Sequence, residues 1–268
     1  MKRIDLIPIA HNAQMGGQCG HIDPNLSEDA LFCDPEKGGE PVGFYLKNVP
    51  AKLRNLVGIA NAELLSDRVP KQNMNRKRPV EVEVDGEMKK GYFSIQQFST
   101  IIGAVPPKPH MRRPYPGMSS VHQVKSAQTF IKAMLLACHE SEELIREILP
   151  NVFDFQVKCI AENCPPQFRF GRLFTSSISN FNISAPFHRD NANLEGCVNV
   201  IIAKKHNATG GNTTVPDYGL TVDSSDNSIL VYPAWKNMHG VTPIVATGPG
   251  GYRNSLVFYP LKAFAKYV

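Results

Sequence analysis

Phe187-His188-Arg189-Asp190-Asn191-Ala192-Asn193 opens a stretch that closes on Arg253-Asn254-Ser255-Leu256-Val257-Phe258-Tyr259, with His239 in between. Two imidazoles and one carboxylate are the donor set of a facial triad, which leaves adjacent positions of an octahedral Fe(II) open for a chelating co-substrate and oxygen. On an extended segment residues i and i+2 project to the same side, so His188 and Asp190 can reach one ion while Arg189 points away. His239 lies far along the chain, in Trp235-Lys236-Asn237-Met238-His239-Gly240-Val241-Thr242-Pro243, and a distant strand has to bring it back. Arg253, Ser255, Val257 and Tyr259 share one face of a strand-like run, where an arginine can hold a dicarboxylate through a two-pronged charge-assisted pair. Singly, a half-buried turn histidine and a solvated strand charge account for His239 and Arg253 equally well. The order of the pieces carries the argument.

That order, His-x-Asp, a late His and an Arg-x-Ser strand, resembles the Fe(II)/2-oxoglutarate dioxygenases. His188-Arg189-Asp190-x-x-Asn193 with Arg253-x-Ser255-Leu256-Val257-Phe258-Tyr259 is similar to a narrower branch, the TET/J-binding-protein family, in a compact bacteriophage or microbial form. The resemblance is specific over residues 168–262. It implies Fe(II) on His188, Asp190 and His239, and 2-oxoglutarate held by Arg253 and Ser255. It also implies O2 as the oxidant and oxidation of the 5-methyl group of a pyrimidine base in DNA. Asn193 is then expected at the base edge and Tyr259 stacked on the base. A methyl group inside a duplex is out of reach of a buried metal, so the base is expected to be flipped out. Where animal members carry a base-contacting histidine two residues after that aromatic, this chain has Pro260-Leu261, which leaves the base open. 5-Methylcytosine oxidised to 5-hydroxymethylcytosine or further is the first reading. Thymine hydroxylation in DNA or a nucleotide is the second, a small-molecule or protein hydroxylase the next, and a non-catalytic binding protein the last.

The rest of the chain suits a protein of this kind. A length of 268 residues, 42% hydrophobic and 20% charged, gives one domain a sizeable core, and 21 Pro with 20 Gly point to many turns. The formal charge of +5 has the sign nucleic acid requires, though a metabolic enzyme can be as basic. Six cysteines without a regular spacing indicate a reducing compartment and buried or loop thiols. The first ten residues carry Asp5 inside a short apolar run and make a poor signal peptide. No stretch approaches the roughly 20 apolar residues of a membrane span. The expectation is a cytoplasmic, monomeric protein with no membrane partner.

Residues 11–41 lack a period and read as an irregular wrapping arm; Gly43-Phe44-Tyr45-Leu46 reads as a short strand, and Pro50 opens a helix to about Ser66. Residues 67–78 concentrate five positive charges, suited to phosphate or simply to solvent, and Val80 to Glu87 alternates as a hairpin strand. The proline-rich loop 106–116 holds Arg112 and Arg113, candidates for the DNA backbone or the near carboxylate of the co-substrate, or else residues of a plain connection. From His122 to Leu149 the apolar stripe predicts a long core helix with a break near Glu140. After Pro150 the pattern shifts to short strands at 168–174, 197–203, 229–232 and 255–259. Together these predict an α+β fold: a double-stranded β-helix (jelly-roll) core with packing helices and the metal at its mouth. Residues 1–120 are expected to form an amino-terminal extension with basic loops that wraps the core, and residues 121–268 to hold the helix and the dioxygenase core, the two meeting in one compact catalytic domain.

Overall fold

The computed structural model describes residues 1–84 and 87–268; the side chains of residues 76–84 and 89–95 lie outside the described residues. The first half lays down β1 (Lys2–Asp5), β2 (Ala30–Asp34), β3 (Glu40–Leu46) and α1 (Ala51–Leu65). It continues with β4 (Gln72–Asn73), the paired β5 (Arg76–Val84) and β6 (Glu87–Ile95), β7 (Phe98–Val105) and β8 (Gly117–Met118). Two helices, α2 (Gln128–Ile148) and α3 (Pro150–Asn163), lead to β9 (Ser176–Phe181), β10 (Ala185–His188) and β11 (Asn199–His206). Then come β12 (Ala208–Gly210), β13 (Thr213–Val215), β14 (Leu220–Val222), β15 (Ile229–Tyr232), β16 (His239–Val241), β17 (Ile244–Ala246) and β18 (Tyr252–Tyr259).

Two sheets organise these elements as a jelly roll. The larger has ten strands in the order β1-β2-β3-β15-β11-β18-β9-β7-β4, with β8 beside β7; the smaller runs β10-β16-β13-β14. Alternation along each strand assigns its two faces. Val200 and Ile202 of β11 and Leu256 and Phe258 of β18 turn outward into the main core, under Leu53, Val57 and Leu64 of α1 and Phe130, Met134 and Ile145 of α2. Their neighbours Asn199, Ile201, Arg253, Ser255, Val257 and Tyr259 face the other way and line a cavity. The apolar stripes on the helices thus cover one face of the sheet and leave the other to chemistry.

Several expectations need correction. Residues 11–41 are not irregular throughout, since β2 and the start of β3 join the large sheet through register pairs from Ala30↔Tyr45 to Asp34↔Glu40. The helix expected over 122–149 begins at Gln128, after 3-10 turns at Ser120–Gln123 and Lys125–Ala127, and runs unbroken past Glu140. Pro150 starts another helix, α3, in which proline occupies the first turn, where no N–H partner is needed. Residues 168–174 form no strand. They hold a 3-10 turn, Pro166–Phe168, and one isolated bridge, Phe170↔Phe174, and the strand lies further on at β9. The strand expected over 80–87 corresponds to the pair β5 and β6, in register from Arg76↔Ile95 to Val84↔Glu87; Asp85 and Gly86 lie outside the described residues, as do the side chains of Arg76, Lys77 and Arg78.

The bend before β9 hangs on one buried carboxylate. Glu142 of α2, 1% exposed, accepts the backbone N–H groups of Arg172 at 2.6 Å and Leu173 at 2.9 Å, and Nε of Arg172 at 3.1 Å. Gly171 lies at φ +77°, and a Cβ there would meet Oε1 of Glu142 at 2.3 Å, so only glycine permits this approach. Removing the carboxylate leaves two backbone donors unpaired at about 1–3 kcal/mol each. Glu142→Ala is therefore expected to lower the unfolding free energy by on the order of 2–6 kcal/mol, measured as a lower urea midpoint at unchanged slope.

Candidate active site

The site begins with strand pairing. β10 and β16 are antiparallel, with Ala185 opposite Val241 and His188 directly opposite His239. Between those rungs β10 carries one residue more than β16, a bulge of the kind that re-aims a side chain. The two imidazoles end with centroids 4.3 Å apart. Each is oriented from behind. Nδ1 of His188 lies 2.8 Å from the carbonyl of Pro186, and Nδ1 of His239 lies 2.9 Å from that of Asn237. A carbonyl accepts only from N–H, so in the neutral rings the proton sits on Nδ1 and the Nε2 lone pair is free to bind a metal. Burial, then the neighbouring His188, pushes the pKa of His239 down and keeps that ring neutral.

Asp190 completes the set. Its Oδ1 lies 3.5 Å from Nε2 of His188 and 4.0 Å from Nε2 of His239. Its Oδ2 accepts from Nδ2 of Asn199 at 2.7 Å and Nδ2 of Asn193 at 3.4 Å, so one oxygen is anchored and the other faces the imidazoles. One donor atom from each of the three residues falls within 4.8 Å of the others, and this is the only such His/Cys/Asp/Glu group found among the described residues. The donor set fits Fe(II) with open positions. The cysteines take no part, and all six are free thiols.

Arg253 sits in the same cavity, a space of about 500 Å³ lined also by Ser255, Asn193, Asn199 and Tyr259. It is 2% exposed. Its Nε has no hydrogen-bond partner, its Nη2 reaches only Oγ of Ser224 at 3.5 Å, and no carboxylate pairs with it among the described residues. Burial pushes its pKa down to about 10, so it remains a cation at neutral pH. A buried cation without a counter-ion is costly, and a carboxylate entering the cavity has the charge and shape to meet it. Gly211, at φ +69°, keeps the space beside it open, because a Cβ there would press to 3.0 Å on Cγ and Cδ of Arg253.

Of the remaining expected residues, Asn193 and Tyr259 line the cavity, whereas Arg112 and Arg113 do not. Arg112 occupies the turn that follows Pro109–Met111, at φ +56°, and Arg113 borders a neighbouring cleft. Sequence reasoning missed Asn199 and Ser224, one holding Asp190 and the other touching Arg253. It also missed Lys205, opposite Arg253 on β11, whose pKa burial pushes down to about 8. Only the inward row of β11, Asn199, Ile201, Ala203 and Lys205, could have pointed to two of them.

A jelly roll of two sheets with two imidazoles and a carboxylate at its mouth, and a buried unpaired arginine behind them, defines a non-haem iron oxygenase that takes an anionic co-substrate. Residues 109–262 match the Tet_JBP family, the oxygenase domain of the 2OGFeDO superfamily, and the chain belongs to that family. It is accordingly an Fe(II)- and 2-oxoglutarate-dependent dioxygenase. Among solved structures it is similar to NgTET1 in complex with 5mC DNA, with a TM-score of 0.58 at 13% identity over 95% of this chain and 84% of that one. It is also similar to an oxidoreductase of the 2OG-Fe(II) oxygenase family from Burkholderia pseudomallei, with a TM-score of 0.45 at 16% identity over 81% and 84% of the two chains. No curated protein matches it in sequence. Among the described residues no helix is long and apolar enough to cross a membrane.

Groups that orient a metal ligand typically change metal affinity by about 10–100-fold when removed. Asn199→Ala is expected to weaken Fe(II) binding by that amount, read by metal titration under anaerobic conditions, while Asn199→Asp, which places a second carboxylate against Asp190, is expected to be no better.

Proposed function

We propose that this dioxygenase oxidises the 5-methyl group of 5-methylcytosine in DNA, with the base flipped into the cavity. The observation that carries the reading is Tyr259, an aromatic on the inward row of β18, in one cavity with His188, Asp190 and His239 and large enough in outline for a single base. Membership of the TET/J-binding-protein family and the shared fold of a protein crystallised with 5mC DNA support it. In this reading His188, Asp190 and His239 hold the iron, and Arg253 with Ser255 holds the distal carboxylate of 2-oxoglutarate. With its co-substrate and O2, the bound iron supplies oxidation of an unactivated methyl group, succinate and carbon dioxide being the co-products.

The chain's own residues do the positioning. Tyr259 offers a ring face to the base, worth roughly 1–3 kcal/mol. Burial raises its phenol pKa, so the group stays neutral and keeps its proton. Asn193 is 4% exposed, and its Nδ2 faces two acceptors, Oδ1 of Asn199 at 2.9 Å and Oδ2 of Asp190. A carboxylate accepts only, so the donor end of this amide is fixed and its oxygen is left for the substrate. Beside the 5-methyl group cytosine carries an amino donor and thymine an acceptor oxygen, so an acceptor at Asn193 favours cytosine. Leu261, which bridges the Asn193 backbone and lines the cavity, adds no competing polar group.

Incubation with Fe(II), 2-oxoglutarate and ascorbate should convert 5-methylcytosine in DNA to 5-hydroxymethylcytosine, seen in digested nucleosides by mass spectrometry. Absence of any oxidised pyrimidine from methylated DNA would overturn the reading. Tyr259→Ala should raise the DNA KM by roughly 10-fold or more, matching the loss of about 1–3 kcal/mol of stacking, and Tyr259→Phe should retain most of the affinity. Arg253→Ala should raise the 2-oxoglutarate KM at least about tenfold, since hydrogen bonds to charged groups contribute about 1.5–3 kcal/mol each, with iron affinity little changed. A parental co-substrate KM in that variant would contradict the role given to Arg253.

A further inference from the structure

A second cleft, of about 510 Å³, lies against the iron cavity, and Tyr259 and Leu261 line both. Its walls come from β4, β7, the loop that follows β7 and the turn at Ser120, and they carry Lys71, Lys108 and Arg113 with no aspartate or glutamate. Backbone pairing brings two of these cations together. Lys108 and Arg113 form an isolated antiparallel bridge, with the Lys108 N–H donating to the Arg113 carbonyl at 2.6 Å and the Arg113 N–H to the Lys108 carbonyl at 3.2 Å. Partners on such a rung project to the same face, so two positive side chains stand next to each other, an arrangement that is destabilising without an anion. Arg112, in the left-handed region at φ +56°, makes the turn that lets them pair. Lys71 also lines the cleft, its Nζ donating to the Ser66 carbonyl at 2.6 Å and lying 5.0 Å from the Phe98 ring centre. An ammonium has three donors, so this lysine retains hydrogens for a ligand in the cleft.

We propose that this cleft is a phosphate site, in which Lys108, Arg113 and Lys71 hold phosphate groups of the nucleic-acid strand whose base enters the iron cavity on the other side of Tyr259. The inference rests on the base-oxidation reading and assigns the polymer's handle next to it. A base stacked on one side of Tyr259 has its own sugar-phosphate running past that ring, and the adjoining cleft is basic, open and free of carboxylates. The arrangement explains why Lys108 and Arg113 share a rung. It also separates two tasks, Tyr259 and Asn193 meeting the base while the hairpin at 108–113 meets the backbone.

The test is direct binding of a fluorescently labelled single-stranded DNA oligonucleotide, followed by polarisation across a range of KCl concentrations, and needs no turnover. Lys108→Ala combined with Arg113→Ala should weaken binding about tenfold or more and reduce the slope of log K against log salt by about 1.4, at about 0.7 for each single-strand phosphate contact. The charge-preserving pair Lys108→Arg with Arg113→Lys should restore the slope. With a methylated oligonucleotide the KM should rise in parallel while kcat stays within about twofold, a split that a general loss of structure does not produce. Both positions are exposed, and an unchanged urea midpoint confirms folding. Parental affinity and salt slope in the alanine pair would overturn the proposal, as would a parent protein that binds no oligonucleotide. Tighter binding of a nucleoside 5′-monophosphate than of the oligonucleotide, lost in the same variant, would uphold the phosphate site and make its source a free nucleotide. Charge-dependent binding without oxidation of any base would keep the phosphate site and remove the reading of the iron cavity.

Discussion

One rung of one small sheet holds the catalytic chemistry together: His188 opposite His239 across β10 and β16. An antiparallel pair fixes two side chains on the same face within a few ångströms, whatever their separation in sequence. The bulge in β10 sets the angle of the first ring, and two backbone carbonyls fix the proton on each. Asp190 lies two residues beyond the end of β10, and Asn199 ties it from the first position of β11. The smaller sheet thus supplies the imidazoles, and the larger sheet steadies the carboxylate.

The larger sheet's second contribution is electrostatic. The guanidinium of Arg253 is 2% exposed with no anion beside it among the described residues, a cost the rest of the fold has to carry, and its strand lies at the centre of the sheet, between β11 and β9. In the reading proposed above, ion and co-substrate would meet a cavity whose charge is already placed, which keeps the reorganisation on binding small. The same rows of alternating residues that bury Val200, Ile202, Leu256 and Phe258 under the helices present Asn199, Arg253 and Tyr259 to the site. Core and cavity are two faces of the same strands.

His188, Asp190 and Arg253 with Ser255 stand out in the sequence because they come from short local patterns of restrictive chemistry, and the structure gathers them around one cavity; period two predicts correctly which members of β18 share a face. Less restrictive features were not legible. Ser176 to Phe181 is a central strand rich in serine, with no alternation of apolar and polar residues strong enough to announce it. α3 was hidden because Pro150 reads as a stop, although proline is equally at home in a first turn. Asn199 and Ser224 act through contacts set by strand register, which no local pattern encodes. The pairing of Lys108 with Arg113 depends on an arginine adopting a left-handed turn, a conformation that composition gives no reason to expect.

The place of β18 in the sheet shapes how the molecule assembles. It is the last strand of the described sequence, yet it is inserted between β11 and β9, which precede it by long stretches of chain. Until it docks, both neighbours expose unpaired edges with apolar residues such as Val200, Ile202 and Ile178, and edges of that kind recruit other chains. Such long-range closure is slow by nature. Recovery of active protein therefore depends on how quickly this strand finds its slot relative to intermolecular pairing, and low temperature and low chain concentration during expression favour the slot.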